Sequence, residues 1–242
     1  MTLAKPSASK PYLNVPIAEC GEPMLPVGDR FVCVSPAPYA ALGAPYGDRS
    51  PFWLRRDVVR RLAIAQTALQ QEHPGWRLLL FDGFRPLAVQ RFMVEYSYRQ
   101  LLEQRHLDDA TLTDSQRQDL YDEVYALWAL PSADPATPPP HSTGGAIDLT
   151  LIDAAGNAVD MGSAIDELSP RSHPDYFQNQ TEREAAEFHA RRQSLNRAMG
   201  SAGFLRHPAE WWHFSYGDQL WAWQMRETGG EAIARYGRVE SF

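Results

Sequence analysis

HSTGGAIDLTL, residues 141–151, combines a loop histidine, a pair of glycines and an apolar strand interrupted by one carboxylate. The alternation and the β-branched residues from Ala146 to Ile152 predict a buried strand. A charged side chain such as Asp148 is costly inside an apolar strand unless it is paired or bound to a metal. The glycines permit the tight bend that would bring His141 back over the face that carries Asp148. The segment therefore offers two candidate ligands for one metal ion.

A second segment, EWWH, begins with Glu210 and ends in another histidine, His213. Catalytic zinc usually takes three protein ligands from histidine and carboxylate side chains and leaves one position for water. His213 would complete such a set with His141 and Asp148, and Glu210 would take the proton of the bound water. If residues 210–215 form a regular strand, Glu210 and His213 point to opposite faces. A twist or bulge is then required for both side chains to reach one metal ion.

The third segment, DGFRP, follows an apolar run from Trp76 to Phe81 that has the length of a strand. A turn at Asp82-Gly83 and the rigid Pro86 would hold Arg85 in place, where its charge could stabilise a developing oxyanion. Each segment also has a structural interpretation, as a loop histidine, a hydrogen-bonded aspartate, a packed aromatic strand or a salt-bridged arginine. Spacing alone leaves the metal-hydrolase and the structural interpretations open.

Composition limits the possible partners. The net charge of -7 and the pI near 5.5 argue against a nucleic-acid or anionic-membrane binder. The sequence has no run of about 18 apolar residues, which predicts no membrane span, and residues 1–16 lack the apolar core of a signal peptide. The resulting expectation is a cytoplasmic location, or a periplasmic one if a leader has been removed. Cys20 and Cys33 lack CxxC partners, which excludes a cysteine zinc site.

Helical and strand patterns are mixed along the chain without regular βαβ alternation, which favours an α+β fold. We expect residues 1–242 to form a single domain, with residues 1–16 as a flexible lead. The predicted helices span residues 51–72, 87–104, 114–130 and 182–201, and the predicted strands span residues 30–34, 76–81, 146–152 and 210–215, with a further strand from about residue 158.

Local signals define the ends and faces of these helices. Thr113 or its neighbour would cap the third helix, and Thr181 with Glu184 would form a capping box for the fourth. Along the first helix, leucine and valine residues at helical spacing form one stripe, which leaves Arg55 on the outward face.

The three segments together resemble the D-Ala-D-Ala dipeptidase (VanX-like) family of zinc DD-peptidases, peptidase family M15. The family pattern is roughly SxHxxGxAxD, then ExxH, with an upstream DGYRP arginine. The matching residues here are His141, Gly144, Ala146 and Asp148, then Glu210 to His213, then Asp82 to Pro86. The resemblance implies a small antiparallel central sheet flanked by helices, the Hedgehog-like zinc peptidase fold, and one zinc ion per chain.

The resemblance also implies a role for each site residue. His141, Asp148 and His213 would bind zinc, Glu210 would be the general base and then acid, and Arg85 would stabilise the tetrahedral intermediate. The stretch from Met161 to Glu167 resembles the family's MGxxFDE-type segment, and its Asp166 would bind the ammonium of a dipeptide. The implied substrate is D-Ala-D-Ala or a similar D-containing dipeptide.

Two other functions remain open at this level. A zinc D,D- or L,D-carboxypeptidase or endopeptidase would act on longer peptidoglycan stems, and a non-catalytic protein would keep the metal site without turnover. Two positions depart from the family pattern: Pro139 replaces a serine that is a plausible contact for the substrate carboxylate, and Thr143 replaces a basic residue. The carboxylate contact is therefore unassigned by the motifs.

Overall fold

The computed structural model describes residues 3–240. Its helices are α1 (Pro38–Ala41), α2 (Arg56–Glu72), α3 (Leu87–Gln104), α4 (Asp114–Leu127), α5 (Arg183–Ser201) and α6 (Gln219–Glu227). Its strands are β1 (Met24–Pro26), β2 (Val32–Cys33), β3 (Trp53–Arg55), β4 (Arg77–Asp82), β5 (Ala146–Ile152), β6 (Leu205–Arg206) and β7 (His213–Ser215). Within the described residues, no helix combines the length and the apolar character that crossing a bilayer requires.

The main sheet has five strands in the order β2-β4-β5-β7-β6. The pairs β4–β5, β5–β7 and β6–β7 are antiparallel, whereas β2 joins the edge of the sheet parallel to β4. A separate two-stranded antiparallel sheet joins β1 to β3. The α+β class is confirmed, and the parallel edge strand is a detail that the pattern did not predict, because two residues carry no signal of strand direction.

The central strand β5 separates the apolar core from the candidate site. Ile147, Leu149 and Leu151 are fully buried in the main core cluster, together with apolar side chains of α2 and α5. Since successive side chains of a strand point to opposite faces, Asp148 projects away from this core. The strand has the predicted bounds, and its alternation sets the face on which a metal ligand can lie.

Helices α3 and α4 pack against each other in a second apolar cluster. Val89 and Met93 of α3 contact this cluster, and Tyr39 of α1 and Trp128, just after α4, belong to it as well. The guanidinium of Arg85 lies 4.8 Å from the ring centre of Tyr39 and 4.9 Å from that of Trp128. The second cluster thus supplies an aromatic wall to the candidate site.

The first long helix begins later than its periodicity predicted. Trp53–Arg55 form β3 and pair with β1, and α2 begins only at Arg56. Arg55 is buried and not outward as expected, because its guanidinium donates to the carbonyl of Thr143 and pairs with Glu19. The apolar spacing continues through the strand, so pairing with β1, and not local pattern, decides where the helix starts.

The bounds of α3 and the start of α4 agree with the prediction, whereas the end of α4 does not. Helix α3 has the predicted bounds, and α4 begins after the predicted cap at Thr113, which forms a capping box with Gln116. Helix α4 ends at Leu127, earlier than predicted, where Trp128 takes extended backbone angles and turns into the second cluster.

Helix α5 and the last strand begin later than predicted. The N-cap of α5 is Glu182, without a side-chain hydrogen bond, so the expected box of Thr181 with Glu184 does not form. Strand β7 covers only the end of the expected segment, and residues 211–212 form a bend ahead of it. The predicted strands at residues 30–34 and 76–81 correspond to the shorter β2 and to β4, displaced by one residue, and the strand expected near residue 158 is reduced to a single bridge with β5.

The N-terminal segment, residues 3–16, packs against the fold, which differs from the expected flexible lead. Pro11–Asn14 form a short 3-10 helix, in which Tyr12 is buried. The backbone N–H of Ser7 donates to Asp122 Oδ1 at 2.8 Å. These partners lie far away along the chain, so nothing in the local sequence indicated the packing.

Candidate metal centre and active-site cleft

His141, Asp148 and His213 converge from separate parts of the chain on one point. His141 lies in a short 3-10 helix at Pro140–Thr143, Asp148 lies in β5, and His213 begins β7. The antiparallel register pairs Asp148 directly with His213. All three side chains are buried. Sheet register therefore brings together two of the three predicted ligands, and the loop ahead of β5 supplies the third.

The three side chains form a triangle, with one ligand atom of each residue within 4.8 Å of the other two, and each histidine faces a different oxygen of Asp148. His213 Nδ1 lies 3.0 Å from Asp148 Oδ1, and His141 Nε2 lies 3.2 Å from Asp148 Oδ2. The two histidine nitrogens are 3.1 Å apart. Tetrahedral ligands at zinc bond lengths of about 2.0–2.1 Å are separated by about 3.3–3.4 Å. The residues therefore fit a catalytic zinc site that keeps a fourth position free.

Hydrogen bonds on the outer nitrogens orient both histidines. His141 Nδ1 lies 2.7 Å from the carbonyl oxygen of Gly83, which only accepts, so this nitrogen carries the proton. His213 Nε2 lies 3.3 Å from Ser215 Oγ, whose hydroxyl donates to Asp218 Oδ2 at 2.8 Å. The nitrogens that face each other are then unprotonated, which is the state that metal binding requires.

The electrostatics of the cluster keep Asp148 ionised. Burial alone would raise the pKa of Asp148, but His141 and His213 hold that pKa well below its ordinary value. Burial also lowers the pKa of His213, against the opposing effect of Asp148. A permanent carboxylate beside a neutral imidazole is the donor set of a divalent metal site.

Glu210 lies beside the triangle. Its Oε2 is 3.8 Å from His213 Nδ1, and its Oε1 is 3.5 Å from His207 Nδ1. The backbone N–H of Trp211 donates to the carbonyl of Ser172, so the chain bends before it enters β7. The conflict expected for a regular strand, in which Glu210 and His213 would point apart, does not arise because Glu210 is not in the strand.

The environment of Glu210 suits a proton-transfer group. Burial raises its pKa well above the ordinary value, and the Asp148 carboxylate raises it further, while Lys10 opposes both effects. A carboxylate with a raised pKa can accept a proton from water and later release it to a leaving group at neutral pH.

Arg85 is buried and held on every side. Its Nε donates to Asp82 Oδ2 at 2.9 Å and its Nη1 donates to Gln90 Oε1 at 3.1 Å. Its Nη2 donates to Asp148 Oδ2 at 3.1 Å and to the hydroxyl of Tyr39 at 3.2 Å. Asp82 of the DGFRP segment thus fixes the guanidinium, and the guanidinium in turn supports one candidate ligand of the metal.

Asp166 reaches the cleft from the loop between β5 and α5. The hydroxyl of Tyr39 donates to Asp166 Oδ2 at 2.8 Å and also accepts from Arg85, so one phenol links the two charges. Burial raises the pKa of Asp166 to about 7. Its φ of +63° lies in the left-handed region that favours glycine, so surrounding contacts must hold this residue in place.

Arg192 of α5 anchors the loop that carries Asp166. Its guanidinium, fully buried, donates to the carbonyls of Met161 and His173 at 2.8 and 3.0 Å and to Ser163 Oγ at 3.0 Å. The indole of Trp211, next to Glu210, donates to the same hydroxyl. One buried cation therefore couples the two segments that supply acidic groups to the cleft.

All six residues predicted for the site line one cleft. These residues are Arg85, His141, Asp148, Asp166, Glu210 and His213. Sequence reasoning missed other residues of the lining, among them Lys10, Tyr12, Trp128 and His207. The position of His207, three residues before Glu210, was the one available signal for it, and the two residues of the N-terminal segment had none.

Comparisons with known proteins agree on the family. Residues 33–229 match the family model described as D-Ala-D-Ala dipeptidase, peptidase M15. A D-alanyl-D-alanine dipeptidase of Synechocystis sp. is 49% identical over 240 residues, which cover 96% of this chain and 97% of that protein. A D-alanyl-D-alanine dipeptidase of Escherichia coli is 29% identical over 161 residues, covering 66% of this chain and 65% of that protein.

Solved structures with similar backbones are more distant. VanYB in complex with D-alanine-D-alanine superposes with a TM-score of 0.45 and 15% identity, covering 74% of this chain and 80% of that one. The LD-carboxypeptidase LdcB superposes with a TM-score of 0.44 and 14% identity, covering 88% of this chain and 76% of that one. The family model and the long alignment with the Synechocystis protein, and not these structures, establish that the chain belongs to the D-Ala-D-Ala dipeptidase family, peptidase family M15.

Proposed function

We propose that this chain hydrolyses D-Ala-D-Ala, or a similar D-containing dipeptide, with one zinc ion held by His141, Asp148 and His213. The observation that supports the dipeptidase activity is the half-buried carboxylate of Asp166 in the same cleft as this triangle and Glu210. A carboxylate there favours a substrate whose free ammonium lies one residue before the scissile bond. A longer peptide substrate, extended beyond its amino end, would place an uncharged peptide group against Asp166.

Glu210 is the proposed proton carrier. A zinc ion in the triangle would lower the pKa of a water molecule and polarise the substrate carbonyl. Glu210 accepts the proton of the attacking water on its carboxylate and donates it to the nitrogen of the leaving amino acid. The raised pKa of Glu210 allows it to hold that proton between the two transfers.

Arg85 is the proposed electrostatic stabiliser. Negative charge develops on the carbonyl oxygen when water adds to the peptide bond, and a fixed cation in a dry cleft stabilises it strongly. Because Asp82 and Gln90 hold the guanidinium, no reorganisation is needed at the moment of reaction. Asp166 binds the substrate ammonium. The hydroxyl of Tyr39, which contacts both Asp166 and Arg85, fixes the position of this carboxylate relative to the guanidinium.

The experiment that tests this function compares D-Ala-D-Ala with N-acetyl-D-Ala-D-Ala, using protein loaded with one equivalent of zinc. We expect turnover of the free dipeptide and little of the acetylated one, which cannot pair with Asp166. Equal turnover of the two substrates would contradict the dipeptidase and favour a carboxypeptidase that acts on longer peptidoglycan stems.

A matched pair of variants tests the role of Glu210. We expect Glu210→Gln to retain zinc and to lose about 10²–10⁴-fold in kcat, the usual contribution of general acid–base catalysis. Glu227→Gln, an exposed glutamate at the end of α6, is the control and should keep full activity. Metal content and kcat are measured on both, and a Glu210→Gln protein with near wild-type kcat would remove this residue from the mechanism.

A further inference from the structure

Lys10 brings an ammonium group from the N-terminal segment into the cleft. Its side chain lines the same cleft as Asp166, Glu210 and His213. Among residues 3–240, it makes no ion pair, and its Nζ donates one long hydrogen bond of 3.4 Å to the carbonyl of Trp128. Two of the three N–H donors of its ammonium are therefore available to a ligand.

Other basic groups of the cleft are already engaged or uncharged. Arg85 already uses four of its five N–H donors, on Asp82, Gln90, Asp148 and the hydroxyl of Tyr39, which leaves one for the oxyanion. His207 Nδ1 accepts a hydrogen bond from the backbone N–H of Ala209 at 3.1 Å, so this nitrogen carries no proton and the imidazole is neutral. Among the described residues of the lining, Lys10 is the cation with two donors to spare.

Lys10 is also on the correct side of the reaction centre. In a dipeptide, the leaving nitrogen and the terminal carboxylate are bonded to the same carbon atom. The group that protonates the nitrogen must therefore neighbour the group that binds the carboxylate. Glu210 is that proton carrier, and Lys10 lines the same cleft. Burial lowers the pKa of Lys10 below its ordinary value, and the Glu210 carboxylate opposes this shift.

The segment that carries Lys10 is fixed on both sides of it. Gln219 of α6 donates to the carbonyl of Val15 at 2.6 Å, and Gln118 of α4 donates to the carbonyl of Lys5 at 2.7 Å. Anchors of this kind hold the intervening residues against the mouth of the cleft. The ammonium is thus presented by a packed segment and not by a free terminus.

We propose that Lys10 binds the terminal carboxylate of the dipeptide and is a specificity-determining residue of this enzyme. The inference rests on the proposed dipeptidase function and extends it. It also accounts for the loss of the serine that the family pattern has at position 139, because Lys10 supplies the donor that Pro139 lacks. Pro139 and Lys10 both line an adjoining cavity of about 200 Å³. Asp166 and Lys10 then match the two charges of a zwitterionic dipeptide, with the metal triangle and Glu210 in the same cleft.

The test uses Lys10→Met, zinc-loaded, with D-Ala-D-Ala and D-Ala-D-alaninamide as substrates. The amide lacks the carboxylate, so the two substrates separate binding of that group from any general damage. We expect Lys10→Met to lose about 10- to 100-fold in kcat/KM on D-Ala-D-Ala, mainly through KM, as for the loss of a charge-assisted hydrogen bond. On the amide, we expect kcat/KM of the variant and of the wild type to agree within about threefold, because no carboxylate is present for Lys10 to bind.

Two further variants complete the design. Lys10→Arg keeps a charge at this position and should recover most of the activity on D-Ala-D-Ala. Lys5→Met removes an exposed lysine of the same segment and should behave as the wild type. An equal loss on both substrates, or no loss on either, would overturn the role of Lys10. A wild-type protein that hydrolyses neither substrate would instead overturn the proposed dipeptidase function itself, so the two failures are distinguishable.

Discussion

Replacing Arg192 by methionine should destabilise the fold and loosen the loop that carries Asp166. The guanidinium of Arg192 is fully buried and donates to two backbone carbonyls, those of Met161 and His173, and to the hydroxyl of Ser163. Methionine fills much of the same volume and donates no hydrogen bond, so the substitution isolates the polar contacts. The expected result is a less stable protein with a weaker hold on the substrate ammonium.

The size of the effect follows from the groups left behind. A buried carbonyl that loses its donor costs about 1–3 kcal/mol, and this applies in full to buried Met161. His173 is exposed, so water can replace part of its lost bond, and the hydroxyl of Ser163 keeps the indole of Trp211 as a partner. Removing an unpaired buried charge offsets some of the loss, because burial lowers the pKa of Arg192 to about 10. We expect a net decrease of about 2–4 kcal/mol in the free energy of unfolding.

Thermal unfolding and steady-state kinetics check this prediction together. For a chain of this size, the expected loss lowers Tm by about 4–16 °C. The KM for D-Ala-D-Ala should rise more than kcat falls, because in the proposed mechanism Asp166 binds the substrate ammonium and does not carry the proton. Arg197→Met, on the same helix, is the control: its side chain is 57% exposed and pairs with Glu72, and such a surface pair contributes about 0–1 kcal/mol. An Arg192→Met protein as stable as this control would refute the reasoning.

Three other perturbations follow from the cleft. Because burial raises the pKa of Asp166 to about 7 and only its ionised form pairs with ammonium, kcat/KM should fall as pH drops below 7. A pH profile in which Asp166→Asn keeps that limb would contradict this assignment. Arg85→Lys keeps the charge but loses the planar fork that reaches Asp82 and Gln90, so steady-state kinetics should show kcat lower by about 10²–10³-fold; an unchanged kcat would exclude Arg85 as the stabiliser. Chelation should abolish turnover, and zinc at 100 times its Kd should raise the free energy of unfolding by about 2.7 kcal/mol, which a Tm measured with and without zinc detects.

Much of the fold was accessible from local patterns. The bounds of β5 and α3 agree with the prediction, and Thr113 caps α4 as expected, because alternation, helical spacing and capping chemistry act within a few residues. The start of α2 and the burial of Arg55 were predicted wrongly. Both depend on pairing with β1 and on the loop at Thr143, which are distant along the chain.

For the site as well, the sequence predicted which residues take part but not how they are brought together. The residue types of HSTGGAIDLTL and EWWH, together with the resemblance they carry, identified the residues that the fold brings into one cleft. Sequence could not explain how Glu210 and His213 reach the same point, because the bend before β7 depends on a hydrogen bond to Ser172. It also gave no sign of Lys10, whose segment looked like a free lead and has no local periodicity.

The sequence by itself determined the chemistry available to this protein: two histidines and an aspartate for a metal, a glutamate for proton transfer and an arginine for charge. The tertiary structure alone decided the distances that make those groups a site. The register between β5 and β7 sets Asp148 against His213, and the packing of the N-terminal segment brings Lys10 to the cleft. The physical reason is that side-chain chemistry is a property of each residue, whereas a separation of 3.0–3.2 Å between donor atoms requires segments far apart in the chain to be packed together.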